Sequence, residues 1–186
     1  MDRHLIEVIQ KNGVAVIPTD TIYGVVGSAL NYQAVEKIYK LRKRNFIKPM
    51  IILISSPDDL EKFEVSLSSK QIVFFKKNWP NPLSIILPCN SKKFEYLHRG
   101  TKTLAFRMPK DENLLNLLKK TGPLVAPSAN IEGEKPSDTI EMAKEYFSDA
   151  EDLYVDGGII KANPSTLIRL DEEGNVTVLR EGSFQL

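Results

Sequence analysis

The sequence predicts one α/β domain spanning residues 1–186, with strands and helices interleaved along the chain. Three observations lead there. Short apolar runs of strand length alternate with amphipathic stretches at helical spacing. Turn signals separate them, with no linker-like segment and no internal repeat. The length of 186 residues suits one core that buries about 70% of the unfolded chain's surface.

The elements follow in order. Residues 2–11 carry Leu5, Ile6, Val8 and Ile9 on a broad apolar face, with Gly13 where a helix-ending glycine belongs. Val14 to Ile17 is a continuous apolar run before Pro18, the pattern of a strand buried on both faces. A helix is expected over 32–42 and a buried strand over 50–54. Ser56-Pro57-Asp58-Asp59 opens a short helix, with proline at its first position and acids in its first turn. Ser68 to Gln71 resembles a capping box ahead of a helix reaching about Lys77. Strands are expected at 83–87, 103–108 and 124–126, with a helix at 112–119 between the last two. Asp138 with Glu141 three residues on starts a helix to Phe147. Strand-like runs at 153–155, 166–170 and 175–180 complete the chain, separated by turns at 156–158 and 172–175.

Composition excludes several classes. Apolar residues at 42% and charged residues at 26% exclude disorder, and 10 glycines with 11 prolines are too few for a collagenous chain. No apolar run approaches the roughly 18 residues of a membrane span, so no membrane association is expected. Acids near the start, Asp2 and Glu7, occupy the place of a signal peptide's apolar core, so a cytoplasmic protein is expected. One cysteine, Cys89, cannot form an internal disulfide, and with only His4 and His98 beside it no zinc site assembles. A net charge of +1 gives no long-range pull on nucleic acid, so local clusters must carry any anion binding.

Four places qualify for chemistry. Pro18 to Gly24 follows a strand; if the segment stays extended, Thr19 and Thr21 share one face and Asp20 takes the other. Two hydroxyls on one face suit a small polar ligand, although a self-capped Pro-Thr-Asp turn also explains them. Lys40, Arg42, Lys43, Arg44 and Lys48 lead from a helix end into a buried strand. They are either a solvated helix end or a grip on a polyphosphate, with arginine forming bidentate contacts. At the exit of the strand 124–126, Ser128 and Asn130 share a face, or are ordinary turn residues. No G-x-S-x-G elbow or positioned histidine makes Ser128 a nucleophile. Finally, Arg107, Ser165 and Arg180 stand at strand ends, and Arg107, inside an apolar run, requires an anionic partner or ligand. Trp79, in a proline-rich loop, is expected to pack rather than to stack on a base.

Taken in order, these segments resemble the YrdC-like family of threonylcarbamoyl-AMP synthases. The matching motifs are P-T-D-T-I-Y-G at 18–24, R-K-R-N-F-I-K-P-M at 42–50, W-P-N-P-L-S at 79–84 and T-L-A-F-R-M-P at 103–109. They continue with A-P-S-A-N at 126–130, D-G-G at 156–158, P-S-T at 164–166 and L-R-E-G at 179–182. Each is weak alone; eight in sequence are specific.

The resemblance implies a twisted mixed β-sheet flanked by helices, with a concave basic cavity. It implies the formation of threonylcarbamoyl-AMP and pyrophosphate from L-threonine, bicarbonate or CO2, and ATP accompanied by Mg2+. Another protein would transfer the group to tRNA, in the modification of adenosine to threonylcarbamoyladenosine. Carried over by position, Arg42, Arg44 and Lys48 would meet the ATP phosphates and supply catalysis. Thr103, Asn130, Thr139 and Arg180 would lie around the nucleotide, and Thr21, Arg107, Ser128 and Ser165 would hold threonine or its carbamate. Arg42 stands where the family has lysine, Asn81 for glycine, Ser84 for threonine and Lys110 for histidine. The first departure keeps a diverged YciO-like sibling with weak activity open. A rival from another class is a non-catalytic module with weak RNA binding, although no aromatic-rich RNA signature is present.

Overall fold

The computed structural model describes residues 3–148 and 152–186, so Asp2, the expected first helical residue, lies outside them. Helix α1 (Arg3–Gln10) leads into strand β1 (Ala15–Ile17), which turns back as β2 (Gly24–Ser28). Next come α2 (Tyr32–Leu41), β3 (Ile51–Leu53), a 3-10 helix (Pro57–Phe63), α3 (Ser69–Asn78) and β4 (Leu83–Pro88). A further 3-10 turn (Lys92–Phe94) and α4 (Glu95–His98) precede β5 (Thr103–Arg107), α5 (Glu112–Thr121) and β6 (Leu124–Val125). The chain closes with α6 (Ile140–Phe147), β7 (Leu153–Tyr154), β8 (Thr166–Leu170) and β9 (Val176–Arg180).

The described strands form one mixed sheet in the order β7-β1-β2-β6-β3-β5-β4-β8-β9. Strands β1 and β2 pair antiparallel, while β3 runs parallel to β5 and β4 parallel to β8. Side chains alternate between two apolar faces, as a strand's period of two requires. Val16, Val25, Ile52, Phe106 and Val125 face one cluster with α2, α3 and α6, and Ala15, Ile17, Val26, Leu53 and Leu124 face α1 and α5 on the other. Covering both faces with helices explains why the short strands read as unbroken apolar runs. Phe63, Phe94 and Phe106 pack edge-on or tilted in the larger cluster, with centroids 5.3 and 5.2 Å apart.

The structure differs from the sequence reading at several element ends. Strand β2 was not expected, because its two glycines within Gly24-Val25-Val26-Gly27-Ser28 mask the apolar pattern. Helix α1 ends on Asn12, in the left-handed region at φ 63, rather than on Gly13. Asn12 and Gly13 donate to the carbonyls of Ile9 and Val8, closing the last turn. Helix α6 is capped by Thr139, whose hydroxyl accepts from Met142 N–H at 3.3 Å; the expected cap, Asp138, pairs instead with Lys135. Trp79 packs as expected, 7% exposed against Phe75, with its indole N–H donating to Leu83 O. Among the described residues no helix is long and apolar enough to cross a membrane.

Candidate functional site

The turn between β1 and β2 is bent, and this changes where its side chains point. Thr19 closes the turn on itself: its hydroxyl donates to Ile22 O at 2.7 Å and accepts from the N–H groups of Thr21 and Ile22. Thr21, 2% exposed, points inward and accepts from Arg107 Nη1 at 3.1 Å. Asp20 does not take the opposite face, because the segment is not extended; its carboxylate lies 3.0 Å from Arg107 Nη2. This is the anionic partner that a buried arginine requires. The two side chains are 5% and 8% exposed. The contact is poorly aligned, so neither Asp20 oxygen gains a hydrogen bond of good geometry, and Arg107 Nε also lacks a partner. Burial pulls the Arg107 pKa down, the charge of Arg180 adds to this, and Asp20 opposes it.

Next to Arg107, the β4–β5 register sets Ser84 directly opposite it. The Ser84 hydroxyl meets the Ser165 hydroxyl at 2.8 Å, both groups buried. Arg180 clasps the same serine, donating from Nε and Nη2 to Ser165 O and from Nη2 to Ser165 Oγ at 3.3 Å. Burial holds Arg180 below its ordinary pKa. From the other side, an isolated bridge between Gly24 and Ser128 brings the exit of β6 against the start of β2. Thr21, Arg107, Ser128 and Ser165 thus line one cavity of about 70 Å³. That is small beside the roughly 300–1,000 Å³ of drug-sized sites, so it suits an amino acid rather than a whole nucleotide. Larger cavities lie elsewhere: one near 450 Å³ carries none of the candidate residues, and one near 320 Å³ touches only Pro18 and Thr19 among them.

The cation cluster adjoins this cavity through Ser128. Arg42, 3% exposed, is no solvated helix end. Its Nη2 donates to Ser128 Oγ at 3.2 Å and to Asn130 Oδ1 at 3.0 Å, and its Nε to Asn130 O. Nη1 is buried with no partner. Burial first, and the neighbouring charge of Arg44 second, lower the Arg42 pKa to about 10, which still leaves it protonated at neutral pH. Asn130 is fixed in turn, its amide donating to Ile131 O and Glu134 O. Arg44 donates to the carbonyls of Lys48 and Pro49, and Lys48 pairs with Glu132 at 2.8 Å.

One candidate stands apart and a second is already engaged. Thr103 begins β5, four residues from Arg107 and hence about 13 Å away at ~3.3 Å per residue, and its hydroxyl meets Thr101. Thr139 is engaged as the cap of α6. Conversely, Asp20, Tyr23, Ser84 and Glu132 were not singled out as site residues from sequence. The need of Arg107 for an anionic partner or ligand is the one sequence signal that could have led to Asp20. Tyr23 accepts from Gly157 N–H and donates to Gly158 O, both at 2.8 Å, tying the 156–158 turn over the hairpin. Glu132, a charged residue in a polar turn, offered no signal.

Among the described residues no group of three or more His, Cys, Asp or Glu side chains could hold a metal. The two acids near the cations, Asp20 and Glu132, are each tied to a cation. A protein-held Mg2+ therefore does not fit here, since that ion wants carboxylate donors or the phosphates of a nucleotide.

The sequence model of the Sua5/YciO/YrdC family, described as "telomere recombination", matches residues 7–182. A threonylcarbamoyl-AMP synthase of Pyrococcus abyssi is 33% identical over 181 residues, 96% of this chain and 53% of that protein. The Bacillus subtilis protein of the same name is 37% identical over 133 residues, 70% of this chain and 38% of that one. The chain thus spans about half or less of the length of these two relatives. The crystal structure of P. abyssi Sua5 with L-threonine superposes with a TM-score of 0.88 at 31% identity, over 97% of this chain and 53% of that one. E. coli YciO shares the fold, with a TM-score of 0.83 at 24% identity over 96% of this chain and 87% of that one. With nearly all of its length matched by the family's model, the chain belongs to the Sua5/YciO/YrdC family.

Proposed function

We propose that residues 1–186 act as one unit that forms threonylcarbamoyl-AMP and pyrophosphate from L-threonine, bicarbonate or CO2, and ATP. The observation that carries this reading is the position of Ser128, which lines the small cavity and also accepts from Arg42. A ligand in the cavity therefore sits within one side chain of the cation cluster. The names of the relatives, and the threonine bound to the P. abyssi protein, support the same substrate.

In this reading the threonine carboxylate and hydroxyl meet Arg107, Thr21, Ser128 and Ser165, leaving the amine free. The neutral amine adds to CO2, forming a C–N bond and releasing a proton, and gives a carbamate. A carbamate oxygen then attacks the α-phosphorus of ATP; the bond from that phosphorus to the bridging oxygen breaks, and pyrophosphate leaves with the electron pair. No protein nucleophile is needed. The protein contributes positioning and neutralisation of phosphate charge. Arg44 and Lys48 face the phosphates, and the unpartnered Nη1 of Arg42 offers a donor held in a dry setting. Asn130, Thr139 and Arg180 border the nucleotide, with Thr103 at its far reach. Any Mg2+ the reaction uses would be held by the nucleotide's phosphates, where it would offset their charge. Another protein then carries the threonylcarbamoyl group to tRNA.

The test is pyrophosphate release by the purified chain. It is expected to require threonine and bicarbonate together, and Arg44→Ala is expected to lower it about 10²–10³-fold, the typical loss of an oxyanion clamp, while the urea midpoint stays near wild type. Salt-sensitive RNA binding with no turnover would replace this reading with that of an RNA-binding module.

A further inference from the structure

The anion-binding end of the cation cluster already holds an anion. Glu132 sits in the turn after Asn130, and its N–H donates to Arg42 O at 2.8 Å. One carboxylate oxygen takes the Lys48 ammonium at 2.8 Å and the other accepts from Asn45 N–H. A backbone N–H and an ammonium converging on one group make an anion cradle. Glu132 is 23% exposed at its side chain, and these contacts, that of Lys48 foremost, hold its carboxyl below the usual glutamate range. The loop does not depend on Glu132 for its shape. Tyr39 Oη donates to Lys48 O at 3.0 Å, the Tyr39 ring stacks on Phe46, and Arg44 donates to the carbonyls of Lys48 and Pro49.

We propose that Glu132 is an internal anion occupying the phosphate end of the site, which the nucleotide displaces from Lys48 and Asn45, so that this one carboxylate sets nucleotide affinity. The inference rests on the reading that a triphosphate binds at Arg42, Arg44 and Lys48. Displacing an ion pair of this exposure corresponds to about 2- to 5-fold in affinity.

Calorimetric titration of the whole chain with ATP alone tests it. Glu132→Gln is expected to bind ATP about 2- to 5-fold tighter than wild type. Glu134→Gln removes the same charge from an exposed side chain two residues away and is expected to change affinity less than 2-fold. Lys48→Ala is expected to weaken binding more in the Glu132→Gln background than in wild type, because wild-type Lys48 must first leave its carboxylate. Should Glu132→Gln fail to fold, Glu132→Asp, one methylene shorter, reads the same contact through a smaller gain. ATP binding to wild type, with Glu132→Gln equal or weaker, overturns the proposal alone. So does an equal gain in Glu134→Gln, which would make bulk charge the cause. No ATP binding by either wild type or Glu132→Gln overturns the proposal together with the reading beneath it.

Discussion

The Asp20–Arg107 pair offers the sharpest stability test, because both side chains are nearly dry, at 8% and 5% exposure. Asp20→Asn keeps the shape and removes the charge, leaving the guanidinium buried against Thr21 and the approaching charge of Arg180. Removing one partner of a buried ion pair typically costs about 3–5 kcal/mol. The lower end applies here, since the Asp20 oxygens gain no well-aligned hydrogen bond and Thr21 still accepts from Arg107. At ~2–4 °C per kcal/mol for a chain of this size, a loss of ~3 kcal/mol lowers Tm by about 6–12 °C. Urea unfolding with an unchanged m value is the assay. The double variant Asp20→Asn/Arg107→Met replaces the charge with an apolar side chain and is expected to recover most of the loss. A single variant within about 1 kcal/mol of wild type, or a double variant no better than the single, would refute the argument that Asp20 neutralises Arg107.

Two further outcomes follow from the geometry. A Cβ on Gly157 would sit 2.6 Å from Pro18 Cβ and 2.8 Å from Pro18 Cγ, so Gly157→Ala is expected to push the 156–158 turn off Tyr23, cost about 1–3 kcal/mol and raise the KM for threonine more than that for ATP. Unfolding midpoints and steady-state kinetics read both effects. Asp59 has a depressed carboxyl pKa: burial would raise it, but hydrogen bonds from Lys62 and from the hydroxyl and N–H of Ser55 together outweigh burial. Its stabilisation is therefore present above the unfolded value near about pH 4 and is lost as pH falls through the lower folded value. The urea midpoint of wild type should drop across that window, and the midpoint of Asp59→Asn should drop less.

Much of the fold was legible where local pattern and tertiary role agree. Strand β8 spans residues 166–170 as read, and Pro57 and the Ser68–Gln71 capping box mark their helices. Strand β2 was hidden because its apolar residues come with two glycines, one of which, Gly27, lets α2 lie close. At the site, the strand exits were legible as polar interruptions, and the family resemblance assigned the cations among them. The contacts were not. Arg42 reaches Asn130 across 88 positions, and no periodicity encodes that distance. Alternation placed Asp20 away from Thr21, but it presupposed an extended segment; the turn folds both onto Arg107. Glu132 was invisible for the same reason, since a carboxylate in a polar turn acquires meaning only when Lys48 and Asn45 arrive beside it.

The most direct measurement is a crystal structure of the chain with ATP and L-threonine bound together. The account requires the amino acid in the cavity at Arg107, Ser128 and Ser165, its nitrogen facing the α-phosphorus, with the outer phosphates on Arg44 and Lys48. Ligands seated on separate surfaces, or a nucleotide that leaves both cations untouched, would contradict it.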